Sequence, residues 1–381
     1  MIGGITMSLQ YAGSDTLMIS EETPPGSVPL VRPEAIINVA ELSYLIWDVA
    51  NIDEQAAFLK DFGMKVNEKS HNSLFMRGYG KSPYIYYGRK AKKSAFKGIG
   101  LTAKSRSDLE LLSHRTNTKI EAIQRPGGGE KIELTDPNGN LVEVVFGIES
   151  LQPLNTRREI LPANTPSNRT RINQGQRTQM MPSPILRLGH CVLGANNFEA
   201  TVRWYMHHFG LLATDALCIE NGSPAIAFLR LNLGEDYADH HTIVIGKGGG
   251  EGYLHSAYEV VDIDAVAQGQ QYQKMKKHKH VWGLGRHILG SQLFDYWHDP
   301  SGFEFEHYAD GDVYTESRET EYHPLDSGNV YAWGDDLPNS FFALSLKQVL
   351  SIMKGLIKGD ITIPWIKQAK KAMSRPPRPW L

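Results

Sequence analysis

Two segments of this chain close on the same turn, and that repetition limits the possible folds more than any other feature. LTDPNGNLVEVVF starts at Leu134 and WHDPSGFEFEHY at Trp297. Aligning Asp-Pro-x-Gly sets Glu143 against Glu306. The strands that open the two halves align as well, with Tyr44 (LSYLIW) against His190 (LGHCVL). Turn motif and element order agree, so the chain reads as a duplicated architecture.

Within each half one pattern recurs: a strand, a helix, then further strands. LRLGHCVLG reads as a strand, NNFEATVRWYMHHFG as an amphipathic helix ending at Gly210, and AIAFLRL and HTIVIGK as strands. The pattern restarts at YLHSAYEVVD, passes a helix from Asp262 to about Lys277, and closes on SQLFDYWHD and FEFEHY. The first half shows ELSYLIWDV, NIDEQAAFLKDFG, SLFMRGY and YIYYG, then GIGLTAKS and KIELTDPNGNLVEVVF. Residues 152–184 are polar and lack apolar periodicity. The expected division is an irregular extension at 1–35, a first domain at 36–150, a linker at 151–184, a second domain at 185–312 and a C-terminal extension at 313–381.

A chain of 381 residues is long enough for two domains, and its 41% hydrophobic and 22% charged shares are those of a globular protein. A formal net charge of −2 offers no basic field for nucleic acid. Neither a run long enough to span a bilayer nor a basic-then-apolar leader is seen, and with only Cys191 and Cys218 a cytoplasmic location is expected. Cys191 reads as a core residue.

The closing hairpin of the second half carries polar groups where a core should be. Alternation along FEFEHY puts Phe303 and Phe305 on one face and Glu304 and Glu306 on the other. Phe294, Tyr296 and His298 share a face of LFDYWHD. An acidic and aromatic concave face suits a metal cup. Glu306 offers a hard oxygen, and His190 and His255 sit on the opening strands of consecutive modules. Singly, a strand histidine is usually a core or surface residue and a strand-end glutamate is usually solvated. Jointly, two imidazoles and one carboxylate form the facial set of non-heme iron oxygenases, with open positions for an anionic bidentate substrate. His71, His114, His207, His208, His278 and His280 read as solvent-facing, and His298, His307 and His323 as neighbours of undetermined role.

The second half resembles the catalytic domain of the type I extradiol ring-cleaving dioxygenases, of the vicinal oxygen chelate superfamily. The resemblance spans 36–312 and is specific in 185–312. It implies an α+β fold of two tandem domains, each of two βαβββ modules, with the metal cup in the second. It implies Fe(II), or Mn(II), held by His190, His255 and Glu306. It assigns the acid/base histidine to His241 in HHTIVIG, beside His240. It places His287 and Tyr296 against the substrate, nine residues apart with Glu306 ten further on. His240 and Phe294 complete the expected substrate pocket. The first half has Tyr44 and Ile99 opposite the two histidines and retains only Glu143, so it is expected to be a copy without metal. The implied reaction is extradiol cleavage of a catechol by O2, in aromatic catabolism, in a homo-oligomer. The run EHYADGD is most similar to a subgroup that includes trihydroxytoluene-type oxygenases.

Three other readings compete. The 4-hydroxyphenylpyruvate dioxygenases share the length and ligand type, but their Gly-Arg-Gly-Asn-Phe run is absent and they do not need His241, His287 and Tyr296. A bleomycin-resistance-like binding module needs no metal ligands. Glyoxalases and epimerases use further carboxylate or glutamine ligands. The tail from Leu346 adds an amphipathic LKQVLSIMKGLIKG and a basic KQAKKAMSRPPRPWL. A lid, an oligomer contact or a peripheral membrane contact is open to it; packing on the enzyme is the favoured expectation.

Overall fold

The computed structural model describes residues 26–177, 179–326, 330–338 and 344–374. Residues 1–25 of the expected N-terminal extension and 375–381 of the basic tail lie outside them.

The first half runs β1 (Val39–Val49), α1 (Ile52–Asp61), β2 (Lys65–Lys69), β3 (Ser73–Arg77) and β4 (Tyr86–Lys90). It continues with β5 (Ala95–Ala103), α2 (Arg106–Thr116), β6 (Glu121–Ala122), β7 (Glu130–Thr135) and β8 (Leu141–Phe146). The second half repeats this with β9 (Arg187–Gly194), α3 (Phe198–Phe209), β10 (Leu212–Cys218) and β11 (Pro224–Arg230). A short β12 (Ala238–Asp239) intervenes before β13 (Ile243–Gly246). The last module is β14 (Gly252–Glu259), α4 (Ile263–Met275), β15 (Lys279–His287), β16 (Leu293–His298) and β17 (Glu304–Ala309). Four βαβββ modules result. The sequence reading missed one strand in each second-half module, β10 and β15.

Local signals place the helices. Asn51, Ser105 and Asp262 accept from the backbone N–H three residues on, at 3.2, 3.1 and 3.0 Å, and open α1, α2 and α4. Gly210 closes α3 with φ +67°, where a side chain is unfavourable. The two Asp-Pro-x-Gly turns share one hydrogen-bond pattern. Asp136 Oδ1 accepts from Asn138 N and Asn140 N at 2.8 and 2.9 Å, and Asp299 Oδ1 from Ser301 N and Phe303 N at the same distances. Gly139 and Gly302 both take a positive φ, near +87° and +85°.

Both sheets have the same centre. β1 runs antiparallel to β5, and these pair in parallel with β4 and β8; β9 runs antiparallel to β14, and these pair in parallel with β13 and β17. The first sheet has eight strands and the second ten. The additional two are β19 (Glu321–Pro324), beside β10, and β20 (Tyr331–Gly334), beside β15. A short β18 (Val313–Tyr314) pairs with β12. Residues beyond 312 thus complete both edges of the second sheet. Two helices follow, α5 (Leu346–Lys358) and α6 (Ile363–Met373).

One apolar core runs between the halves. Trp47 meets Tyr253 and Phe303 edge-on at 4.8 and 4.9 Å, and Phe62 stacks on His307 at 3.8 Å. His307 Nε2 donates to the Phe62 carbonyl at 2.7 Å, so this histidine serves the seam. Cys191 is fully buried in the core. The linker is tied down by Arg157, whose guanidinium grips Asp262 at 2.5 and 3.0 Å. Among the described residues no helix is long and apolar enough to cross a membrane.

Burial pushes the Asp299 carboxyl up to about 6, against the lowering effect of the N–H groups it accepts from. A carboxyl raised on folding favours the protonated form. Its stabilisation is present below the unfolded pKa of about 4 and is lost as pH rises to about 6. Asp299→Asn keeps the accepting oxygen, and its urea midpoint should lack the wild-type decline between pH 4 and 6. Asp299→Ala removes the acceptor and should cost about 1–2 kcal/mol at either pH.

Candidate metal centre

The cup lies on the concave face of the second sheet. His190 comes from β9, His255 from β14 and Glu306 from β17, three neighbouring strands. Antiparallel register puts Tyr296 directly across from Glu306. His190 Nε2 is 3.3 Å and His255 Nε2 3.4 Å from Glu306 Oε2, and one ligand atom from each of the three falls within 4.8 Å of the others. Ligand atoms about 2.1 Å from a shared ion are separated by about 3.0–3.4 Å. The spacing therefore fits one small divalent cation.

The strongest test of fit is Glu306 itself. Its side chain is 0% exposed, yet neither carboxylate oxygen has a hydrogen bond of acceptable geometry. Burial alone would raise its pKa; the His190 and His255 nitrogens outweigh burial and hold it well below the usual carboxylate range. A buried carboxylate that keeps its charge on the strength of two imidazoles at 3.3 and 3.4 Å, neither a well-formed hydrogen bond, is the group a cation would satisfy. Burial lowers the pKa of His190, leaving a neutral imidazole with a lone pair to give. Its Nδ1 has no partner among the described residues.

The duplicate in the first half is the control. Register sets Tyr44 and Glu143 beside Gly100, as it sets His190 and Glu306 beside Ala257. Glu143 is saturated by the protein: it accepts from the Tyr44 hydroxyl at 2.5 Å, Arg125 at 2.7 Å and Lys131 at 2.9 Å. The Arg125 guanidinium is enclosed by the Tyr44, Tyr84 and Tyr87 rings. The residue that corresponds to His255 is Gly98, not Ile99 as the sequence alignment had it. Gly98 lies opposite Ile46 and Leu141, as His255 lies opposite Val192 and Glu304. A Cβ on Gly98 would sit 1.9 Å from the Leu141 carbonyl oxygen, so that position cannot carry a ligand.

His287 Nδ1 lies 2.8 Å from the Val330 carbonyl, which can only accept. Nδ1 therefore carries the proton, and with the ring neutral Nε2 accepts from the Tyr296 hydroxyl at 2.9 Å. Burial lowers the pKa of His287 and lifts that of the Tyr296 phenol, keeping one neutral and the other protonated.

His241 lies in the segment just before β13, not on it. β9 separates β13 from the strand of His255, so His241 and His255 do not come from adjacent strands although their segments follow one another in the chain. The His241 ring instead faces His190, with centroids 4.1 Å apart. Its Nδ1 is 2.8 Å from His240 Nδ1, and His240 Nε2 is 2.6 Å from Asp215 Oδ2. His240 Nε2 donates to the Asp215 carboxylate, which can only accept. His240 Nδ1 then accepts from His241 Nδ1, and His241 Nε2 keeps a bare lone pair. Burial first, then the surrounding histidines, depress the His241 pKa far below its ordinary value.

Asp215 was not anticipated. It sits in LATDALC, a strand not recognised in the sequence. Its other oxygen meets His323 Nε2 from β19 at 3.2 Å. Asp215, Glu321 and His323 also come within metal-binding distance of one another. Here, however, Arg318 pairs with Glu321 at 2.5 Å and both histidines engage Asp215, so protein donors already meet these carboxylates.

Of the remaining expected residues, His240 is fully buried behind His241. Phe294 is also fully buried, stacked under His287 and Trp282 at 4.2 and 4.1 Å, so it supports the wall from behind. His71 and His114 are exposed, but His207 and His208 are half-buried on α3. His278 and His280 are half-buried against Asp61 and Asp295, at 3.0 and 2.8 Å.

No family model matches the chain. It is 29% identical over 220 residues to metapyrocatechase 2 of Cupriavidus necator, across 57% of this chain and 64% of that one. It is 27% identical over 222 residues to an iron-dependent extradiol dioxygenase of Rhodococcus jostii, across 57% and 67%. The alignment with metapyrocatechase 2 thus spans slightly under two thirds of that relative. A solved Mn(II)-bound glyoxalase from Novosphingobium aromaticivorans superposes with TM-score 0.67 at 23% identity, over 80% of this chain and 94% of that one. The fold is that of the vicinal oxygen chelate proteins, as expected.

Alanine at His190, His255 or Glu306 should strip most bound metal, measured by elemental analysis after anaerobic loading. Glu143→Ala should leave metal content unchanged. It should still cost about 3–5 kcal/mol in unfolding free energy, because Arg125 is then buried without its partner.

Proposed function

We propose that this homologue of the extradiol dioxygenases cleaves a catecholic ring beside its two hydroxyls, using O2 and one Fe(II) held by His190, His255 and Glu306. The observation that carries the reading is the buried Glu306 carboxylate between two imidazole nitrogens, with no hydrogen bond to either oxygen, beside a duplicate whose carboxylate is fully paired. Two neutral imidazoles and one carboxylate leave a divalent ion with net positive charge, which favours an anionic, bidentate ligand such as a catecholate. The bound metal would supply Lewis-acid stabilisation and hold catecholate and O2 in proximity. Iron is favoured over manganese by the donor set and by the iron-dependent relative.

The protein supplies the proton handling. His241, with its Nε2 lone pair available to the cup, takes a proton from a substrate hydroxyl and returns it during ring opening. Asp215 and His240 are positioning residues that hold His241 in the basic tautomer. When substrate binds, the Tyr296 hydroxyl, kept protonated, turns its one proton from His287 Nε2 to a substrate oxygen, and the freed Nε2 lone pair accepts from a substrate hydroxyl. Both atoms of O2 enter the product, a ring-opened oxo acid or semialdehyde.

The structural likeness to a glyoxalase raises a second metal chemistry on the same fold. Among the described residues the cluster contains one carboxylate and two histidines, with no further carboxylate, histidine or cysteine ligand, which favours ring cleavage.

Oxygen uptake by anaerobically iron-loaded protein, screened over substituted catechols, tests the proposal. Uptake with formation of a yellow ring-opened product is expected; its absence across the panel would overturn the reading. His241→Phe should retain metal and catechol binding while turnover falls by on the order of 10² or more. His240→Phe and Asp215→Asn should slow turnover less, because they disturb the tautomer and leave the base in place. Loss of metal in His241→Phe would make it a ligand, and near-normal uptake would make it a bystander.

A further inference from the structure

The helix α5 is docked the wrong way round for a soluble surface. It begins with a capping box at Ser345 and Gln348 and ends at Gly359. Its polar and small residues face the protein. Asn196 donates to the Ser351 carbonyl at 2.8 Å, Glu251 N donates to Ser351 Oγ at 3.0 Å, and Gly250 lies against Gln348. A Cβ on Gly355 would meet Asn196 at 2.9 Å. Gln348, Ser351 and Gly355 are three and four residues apart and form one face.

Leu346, Leu350, Met353 and Ile357 have the same spacing and lie half a turn away. They are 75%, 56%, 53% and 87% exposed. Val349 and, on α6, Ile363 are exposed as well. Four large apolar side chains aligned along about 16 Å of helix are more than scattered surface residues. The same two helices carry exposed cations. Lys358 on α5 and Lys367 and Lys370 on α6 are exposed, and Lys354 is 59% exposed, with only a loose pairing to Glu251 at 3.7 Å. From Leu346 to Leu381 the sequence has eight Lys or Arg and a single acidic residue, Asp360, a charge of +7. The whole chain carries −2, so the remainder carries −9.

We infer that the outward face of α5, with the basic residues of α6 beside it, binds the surface of an anionic lipid bilayer. An interfacial helix needs an apolar stripe that enters the acyl boundary and lysines that reach the headgroups from its border, and α5 presents both. Charge argues against a second copy of this chain as the occupant. A two-fold contact through the stripe would set each basic border near its own image, whereas a lipid surface supplies both the apolar layer and the opposing charge. The bilayer contact stands independently of the dioxygenase reading. It also joins two expectations for the tail that had been separate, since one face packs on the enzyme and the other is left for the membrane.

Vesicle co-sedimentation of the full-length, metal-loaded protein tests this, with phosphatidylcholine vesicles and with vesicles about one third phosphatidylglycerol. Wild-type protein should pellet with the anionic vesicles at least about tenfold more strongly than with the neutral ones, and high salt should weaken the binding. Leu350→Asp with Ile357→Asp should abolish pelleting while metal content and thermal midpoint match wild type. Lys354→Glu with Lys358→Glu leaves the stripe intact and should lower partitioning about fivefold or more for each charge changed. Wild-type protein that stays in the supernatant with anionic vesicles overturns the inference. So does equal binding to both vesicle types, or dimerisation by light scattering that the Leu350→Asp/Ile357→Asp variant loses while neither protein binds vesicles.

Discussion

Everything in the second half is arranged around one buried negative charge. A carboxylate removed from water needs either donors or a cation, and the duplication in this chain displays both solutions. In the first half Glu143 has a phenol, a guanidinium and an ammonium within bonding distance, and it cements a core. In the second, Glu306 occupies the same register position with imidazole nitrogens at 3.3 and 3.4 Å and no hydrogen bond. At one register position, then, charged protein donors meet the carboxylate in the first half and only imidazoles face it in the second.

The groups around the cup are ordered by what lies behind them. Val330 sets the tautomer of His287, and Asp215, through His240, sets that of His241. Both supports depend on residues outside the four modules. Val330 precedes β20, and His323 on β19 holds the second oxygen of Asp215. The segment after 312 thus finishes the sheet at both edges and helps to orient His287 and His241 beside the cup. α5 and α6 then pack over the Gly248–Glu251 loop, where Trp365 lies close to Gly248. That docking uses the polar side of α5 and turns its apolar side outward.

The parts of the site that were legible in the sequence are those coded by local pattern. Alternation in FEFEHY separated Glu306 from Phe305, and pairing later placed Tyr296 opposite that glutamate. Repeat alignment found Tyr44 and Glu143. It failed at Ile99 because GIGLTAKS offers only glycine and apolar residues at the matching position, so nothing local pins the register to one residue; the bulges at Tyr253/His255 and at Ile46/Trp47 are equivalent in the two halves and do not shift it. Strands β10 and β15 were missed for a related reason. LATDALC places a buried Asp among alanines, and KHVWGLGRH is interrupted by two glycines, so neither shows a clean period of two.

By itself, then, the sequence determined the module order, the two Asp-Pro-x-Gly turns, the helix start at Asp262 and the candidate set His190, His255 and Glu306. Each is encoded within a few residues of chain, where capping, turn geometry and alternation act. Tertiary structure alone decided which strand lies between His241 and His255, that Asp215 stands behind His240, and that Gly98 has no room for a ligand. It also decided which face of α5 meets the protein. These depend on strand order, bulges and docking between segments up to a hundred residues apart or more, and such contacts leave no periodic trace in the chain that makes them.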